Sequence, residues 1–104
     1  MSEQTYRFYR DENGTAISNV PHRRVHHSPD GYEWGYGGSG PADLALNITI
    51  DCLLRLGIDD NGLAYTIHQS VKRHFIANMP HEGTEIPCSV FDNYVSKEWD
   101  ILQR

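Results

Sequence analysis

The residues from His27 to Ala42 carry the densest set of chemistry-bearing types in the chain. Five of its nine glycines, two of its five prolines and one of its two tryptophans fall in these sixteen positions. The run Gly35-Tyr36-Gly37-Gly38-Ser39-Gly40-Pro41 leads into an apolar segment. Backbone N–H groups at a helix start, approached through glycines, can cradle a phosphate. Tyr32, Trp34 and Tyr36 could stack on a base, since every base has a flat face. The expected ligand-binding set is therefore Tyr32, Trp34, Tyr36, Gly37, Gly38 and Ser39. Arg23, Arg24 and Lys72 would neutralise the ligand, because guanidinium forks match phosphate oxygens.

Three features oppose a phosphate loop. The Walker Lys-Ser/Thr pair is absent, and the glycine spacing departs from the dinucleotide fingerprint. Asp43, expected in the first helical turn, would repel a second anion. The plainer reading is architectural: the glycines turn the chain sharply and bring a helix close to a sheet. The aromatic side chains are then better ligand contacts than the glycine amides.

Other chemistries find less. Ser39 sits before a helix, but Gly37-Gly38-Ser39-Gly40-Pro41 lacks the closing glycine of a nucleophile elbow. Ser39 reads as a helix cap, no catalytic residue is assigned, and the expectation is a non-enzyme. His22, His26, His27, His68, His74 and His81 contain no His-Glu-x-x-His motif, and the adjacent His26 and His27 would face opposite sides of a strand, so no metal site is expected. Cys52 and Cys88 form no Cys-x-x-Cys unit, and no cofactor is implied. Arg7, Arg10, Arg23 and Arg24, with Lys72 and Arg73, could surround a polyanion. Asp11, Glu12 and Asp30 could equally balance them on a solvated face.

The elements that must position these residues are legible in part. Thr5–Arg10 alternates apolar and basic residues, the period of a half-buried strand. Asn13-Gly14 suits a tight hairpin, with Thr15–Asn19 as the return strand. Arg23–His27 reads as a weaker third strand. Ser28–Gly31 reads as a type I turn, and Tyr32–Trp34 as a short fourth strand. A central core helix is expected over Pro41–Leu56, stopping at Gly57. Its polar residues Asp43, Asn47, Asp51 and Arg55 recur every four positions in one stripe. A second helix is expected over Gly62–Asn78, then an extended link at Thr84–Ile86. A third helix, capped by Ser89, follows Pro87. The fold class is α+β: a small N-terminal antiparallel sheet of three to four strands packed against about three C-terminal helices.

A length of 104 residues suits a single domain, residues 1–104. A net charge of −5 opposes general nucleic-acid binding, which needs a basic surface. No run is long and apolar enough for a membrane span, and the N-terminus lacks a signal-peptide pattern. A cytoplasmic location is the default expectation. The edge of Thr15–Asn19 could pair with a second copy, giving a homodimer.

The string Tyr32-Glu33-Trp34-Gly35-Tyr36-Gly37-Gly38-Ser39-Gly40-Pro41-Ala42-Asp43-Leu44-Ala45-Leu46 resembles a family of small phage and prophage proteins classed as a domain of unknown function (DUF6166-like). His27-Ser28-Pro29 and Val71-Lys72-Arg73-His74-Phe75 are similar to the same pattern. The resemblance implies a phage setting, with the host cell cytoplasm as the location, and no defined chemistry. Small proteins in such a setting often antagonise host defence. Two expectations follow: sequestration of a phosphorylated nucleotide signal near the glycine turn, or inhibition of a host defence protein through an acidic and aromatic surface.

Overall fold

A computed structural model describes residues 4–24 and 31–104. The described residues form an α+β fold with a three-stranded antiparallel sheet and three α-helices. Strand β1 is Thr5–Arg10 and β2 is Ala16–Ser18. Tyr6 and Phe8 of β1 point into the core while their neighbours stay outside, which is the expected alternation. The hairpin loop is wider than a two-residue turn. Asp11 accepts the N–H groups of Asn13 and Thr15 on Oδ1, both at 2.9 Å, and Gly14 takes the positive φ of +80°.

The third strand, β3, is Thr84–Pro87, and the sheet order is β2-β1-β3. It pairs with β1 in the register Thr5↔Pro87 to Phe8↔Thr84. The segment expected as a link is thus a strand. The expected third strand is not one over Arg23–Arg24; Val25–His27, and Ser28–Asp30 of the expected turn, lie outside the described residues. Tyr32–Trp34 is not a strand either. Its alternation is real, because Tyr32 and Trp34 are buried around a half-buried Glu33, but its backbone joins no ladder.

Helix α1 spans Ser39–Arg55, and every residue from Gly40 to Leu53 is buried. Such all-round burial needs cover on every side. Helices α2 (Asn61–Val71) and α3 (Cys88–Leu102) and a π-helical segment (Lys72–Ile76) cover part of it. The chain from Asn19 to Arg24 crosses its polar stripe as an irregular strap. The helix closes as expected at Gly57 (φ +82°): Gly57 and Ile58 donate back to the carbonyls of Leu54 and Leu53 at 3.0 and 2.8 Å.

Other boundaries shift. Gly38 holds the N-cap of α1, so Ser39 is its first residue rather than its cap. Asp43 is therefore the fifth helical residue, and the first turn carries no acid. The expected second helix changes pitch at Lys72, where the Ala77 N–H bonds the Lys72 carbonyl five residues back. Helix α3 starts at Cys88 behind Pro87, leaving Ser89 inside it rather than at its cap.

Candidate functional site

The glycine-rich turn is held from behind by its aromatic residues. Trp34 is 1% exposed. Its Nε1–H donates to the His81 carbonyl at 2.9 Å, Phe8 meets its ring edge-on at 5.8 Å, and the Arg10 guanidinium lies over the ring at 4.9 Å. Tyr32 donates its hydroxyl to the Pro21 carbonyl at 2.8 Å and stacks on His22 at 4.0 Å. Burial pushes its phenol above the usual range. These two rings pin the turn to the strap and to the segment before β3. Gly35 (φ +87°) completes the attachment by donating to the Ile76 carbonyl at 2.9 Å.

Tyr36 behaves differently. It is 51% exposed, and its ring lies against the backbone of Gly38. A Cβ on Gly38 would come within 2.5 Å of that ring. The missing side chain is what lets the phenol lie down on the turn. A second close approach sits beside it, where a Cβ on Gly40 would lie 2.8 Å from the Glu33 Cβ. The start of α1 is therefore pressed against the Tyr32–Trp34 segment.

An open cleft of about 470 Å³ lies between this turn and the β1–β2 hairpin, with Asn13, Thr15, Tyr32, Glu33, Tyr36 and Ser39 in its wall. Glu33 is anchored there by Arg10, whose Nη2 donates to Oε1 at 2.9 Å and whose Nη1 donates to Oε2 at 3.3 Å. The Arg10 side chain is 11% exposed and also donates to the carbonyls of Gly14 and His81. Hydrogen bonds from Arg10 hold the Glu33 carboxyl below the usual carboxylate range. Ser39 and Gly40 also line the cleft, and as the first two helical residues they have N–H groups with no carbonyl ahead of them to accept within the helix.

Of the residues singled out in the sequence, Tyr32, Tyr36 and Ser39 share this cleft. Gly38 supports it through the Tyr36 ring. Trp34, Gly37 and Lys72 are not in its wall. Arg23 and Arg24 lie farther along α1: Arg23 pairs with Asp51 at 2.9 Å, and Arg24 donates to the Tyr65 hydroxyl at 3.2 Å. Asp51 is twelve residues beyond Ser39, about 18 Å along the helix. The expected cationic collar is therefore not assembled around the glycine turn.

The sequence pattern of a family described as a family of unknown function, DUF6166, matches residues 2–97. The chain belongs to this family. No curated protein and no solved structure matches it.

A second polar constellation in this DUF6166 protein had no counterpart among the expected sites. Asp51 accepts the Tyr6 hydroxyl and Arg55 Nη1 on Oδ2, at 2.5 and 2.6 Å, and Arg23 on Oδ1. Arg55 reaches on to Asp92 of α3 at 2.7 Å and to the Tyr6 hydroxyl at 2.8 Å. Burial raises the Asp51 carboxyl, but the hydrogen bonds from Tyr6, Arg23 and Arg55 outweigh it and hold the group below its ordinary value. Burial and the Asp51 bond drive the Tyr6 phenol far up, so it stays a neutral donor. The network borders an open cleft of about 720 Å³ that also touches Arg7, Glu85 and Cys88. Its charges answer one another, and burial raises the Cys88 thiol rather than activating it. The arrangement ties β1, the strap, α1 and α3 together. Among the described residues no group of three His, Cys, Asp or Glu could hold a metal, and no helix is long and apolar enough to cross a membrane.

Proposed function

We propose that this protein is a non-enzymatic binding protein that takes a nucleotide-type small molecule in the cleft beside the glycine-rich turn. The observation that carries the reading is the exposed Tyr36 ring laid on Gly38 at the edge of that cleft. A rigidly backed aromatic face contributes about 1–3 kcal/mol per stacked base. The volume is in the range of small-molecule sites. The free N–H groups at the start of α1, with no acid in the first turn, suit a phosphate or another acceptor at the cleft mouth. Arg23, Arg24 and Lys72 are left out of the reading, because their positions do not serve this cleft. A phage setting, which the family resemblance implies, would make such a binder an antagonist of nucleotide-signalled host defence.

The test is a thermal-shift and calorimetric screen of the purified chain against mononucleotides, cyclic nucleotides and adenosine-ribose derivatives. Saturable binding of one class at one site per chain is expected. A flat response across the panel overturns the reading.

A further inference from the structure

Strand β2 lies at one edge of the sheet, whose order is β2-β1-β3. The bonds along β1 fix which β2 backbone groups that edge leaves open. Odd-numbered residues of this stretch turn their backbone toward β2. The Arg7 N–H and the Thr5 carbonyl meet the Asn19 side chain at 2.7 and 3.0 Å, and the Asp11 N–H meets the Thr15 carbonyl at 3.0 Å. Even-numbered residues face β3, where the Gln4 carbonyl accepts the Cys88 N–H at 2.9 Å. Tyr9 is paired with Ile17, so Ile17 spends its N–H and C=O on β1. Its neighbour Ala16 therefore points both groups out of the sheet edge, and no other described residue bonds them. Ala16 also lines the cleft that holds Tyr36. A fixed main-chain donor and acceptor thus stand side by side near the aromatic platform.

We infer that the cleft holds an adenine ring edge-on to β2, with the Ala16 carbonyl accepting the exocyclic N–H, the Ala16 N–H donating to ring nitrogen N1, and Tyr36 stacked on the ring. The inference rests on the nucleotide reading above and specifies the base and the edge that is read. In a complete ladder an outward-facing residue exchanges both of its bonds with one residue of the next strand. The Watson–Crick edge of adenine carries the same complementary pair, an N–H beside an acceptor. The ring takes the place of the missing strand. A base that lacks either group leaves one Ala16 group facing it unbonded and out of reach of water, which is penalised. The reader is main chain, so no residue type in the sequence marks it.

The experiment is calorimetric titration of the full chain with adenosine monophosphate and two analogues that each remove one partner without adding bulk. Purine riboside monophosphate lacks the exocyclic amine, and the 1-deaza analogue of adenosine monophosphate has C–H in place of N1. Each should bind about tenfold more weakly than adenosine monophosphate, as expected for one stranded backbone group. Ala16→Pro removes the outward N–H, a change that edge strands accept. In that variant adenosine monophosphate should fall to the level of the 1-deaza analogue, while the melting transition remains cooperative. Equal affinities for all three nucleotides, lost together in Tyr36→Ala, would overturn the edge assignment and leave the nucleotide reading standing. Binding of none would defeat the nucleotide reading itself. The analogue comparison on the unaltered chain decides the assignment even if Ala16→Pro fails to fold.

Discussion

Asn47 grips the backbone of Arg24 by both of its polar groups. Its Nδ2 donates to the Arg24 carbonyl at 2.7 Å, and its Oδ1 accepts the Arg24 N–H at 2.9 Å. The same oxygen accepts the Arg23 N–H at 2.6 Å, and Nδ2 also donates to the Asp43 carbonyl at 2.9 Å. All four hydrogen-bonding positions of this fully buried carboxamide are used. It substitutes for a neighbouring strand and lets an irregular strap lie on a buried helix without orphaned amides.

Replacing Asn47 with Ala should therefore cost about 2–3 kcal/mol, since it strands the Arg24 N–H and carbonyl and leaves the Arg23 N–H only the Pro21 carbonyl at 3.2 Å. The distinctive readout is amide hydrogen exchange. Arg23 and Arg24 should lose protection while the Phe8 amide in the sheet keeps its own. Unchanged exchange at Arg23 and Arg24 would show that the strap is held by something else.

The polar stripe on α1 explains what could and could not be read from the sequence. The period-four recurrence of Asp43, Asn47, Asp51 and Arg55 is legible, and so is the apolar remainder of the helix. Its meaning is not local. Asp43, Asn47 and Asp51 are buried because the strap and Tyr6 arrive from elsewhere in the chain to meet them. The β1–β2 hairpin and the Gly57 stop were legible because neighbouring residues decide them. Strand β3 was not, because Thr84–Pro87 is short, half of it exposed, and gains its identity by pairing with β1 across most of the sequence. At the candidate site the aromatic alternation was visible, but its split was hidden. Tyr32 and Trp34 face the core and Tyr36 faces solvent, because Gly35 reverses the chain between them.

That split predicts opposite behaviour for two aromatic substitutions. Trp34→Ala should lower stability by about 3–5 kcal/mol, as expected for a fully buried large ring. It also frees Arg10 and the His81 carbonyl from their contact with the indole. Chemical denaturation measures the loss. A change within about 0.5 kcal/mol, the range of ordinary surface substitutions, would contradict the buried position.

The Asp51 network predicts an acid-sensitive fold. The carboxyl titrates at a lower pH in the folded chain than in the unfolded chain. The unfolded chain therefore takes up a proton first as the pH falls. The stabilisation is fully present above the unfolded value of about 4 and drains away as pH falls through the lower folded value. Asp51→Asn should cost about 3 kcal/mol at neutral pH, because Arg23 loses its carboxylate and Arg55 loses one of its two. Denaturation midpoints between pH 6 and pH 2, values set by the about 4 reference, should fall less steeply in the variant. Parallel slopes in the two proteins would remove Asp51 from the acid transition.

Gly83 offers a check on the sheet. A Cβ there would lie 2.0 Å from the Phe8 carbonyl oxygen, at a φ of +94°. Gly83→Ala must displace the backbone entering β3, and a loss of about 3 kcal/mol is expected from overlap and left-handed strain together. A thermal melt that matches the parent would mean that β3 is not packed against β1 in this register.

The central claim is that the Tyr36 ring on Gly38 is a binding platform. Calorimetric titration of the parent chain and of Tyr36→Ala with adenosine and guanosine monophosphates tests it most directly. The account predicts one saturable site in the parent, affinity at least about tenfold weaker in the variant, and melting temperatures that agree because the ring is exposed. Binding that Tyr36→Ala leaves unchanged, or no binding to the parent at all, would contradict it.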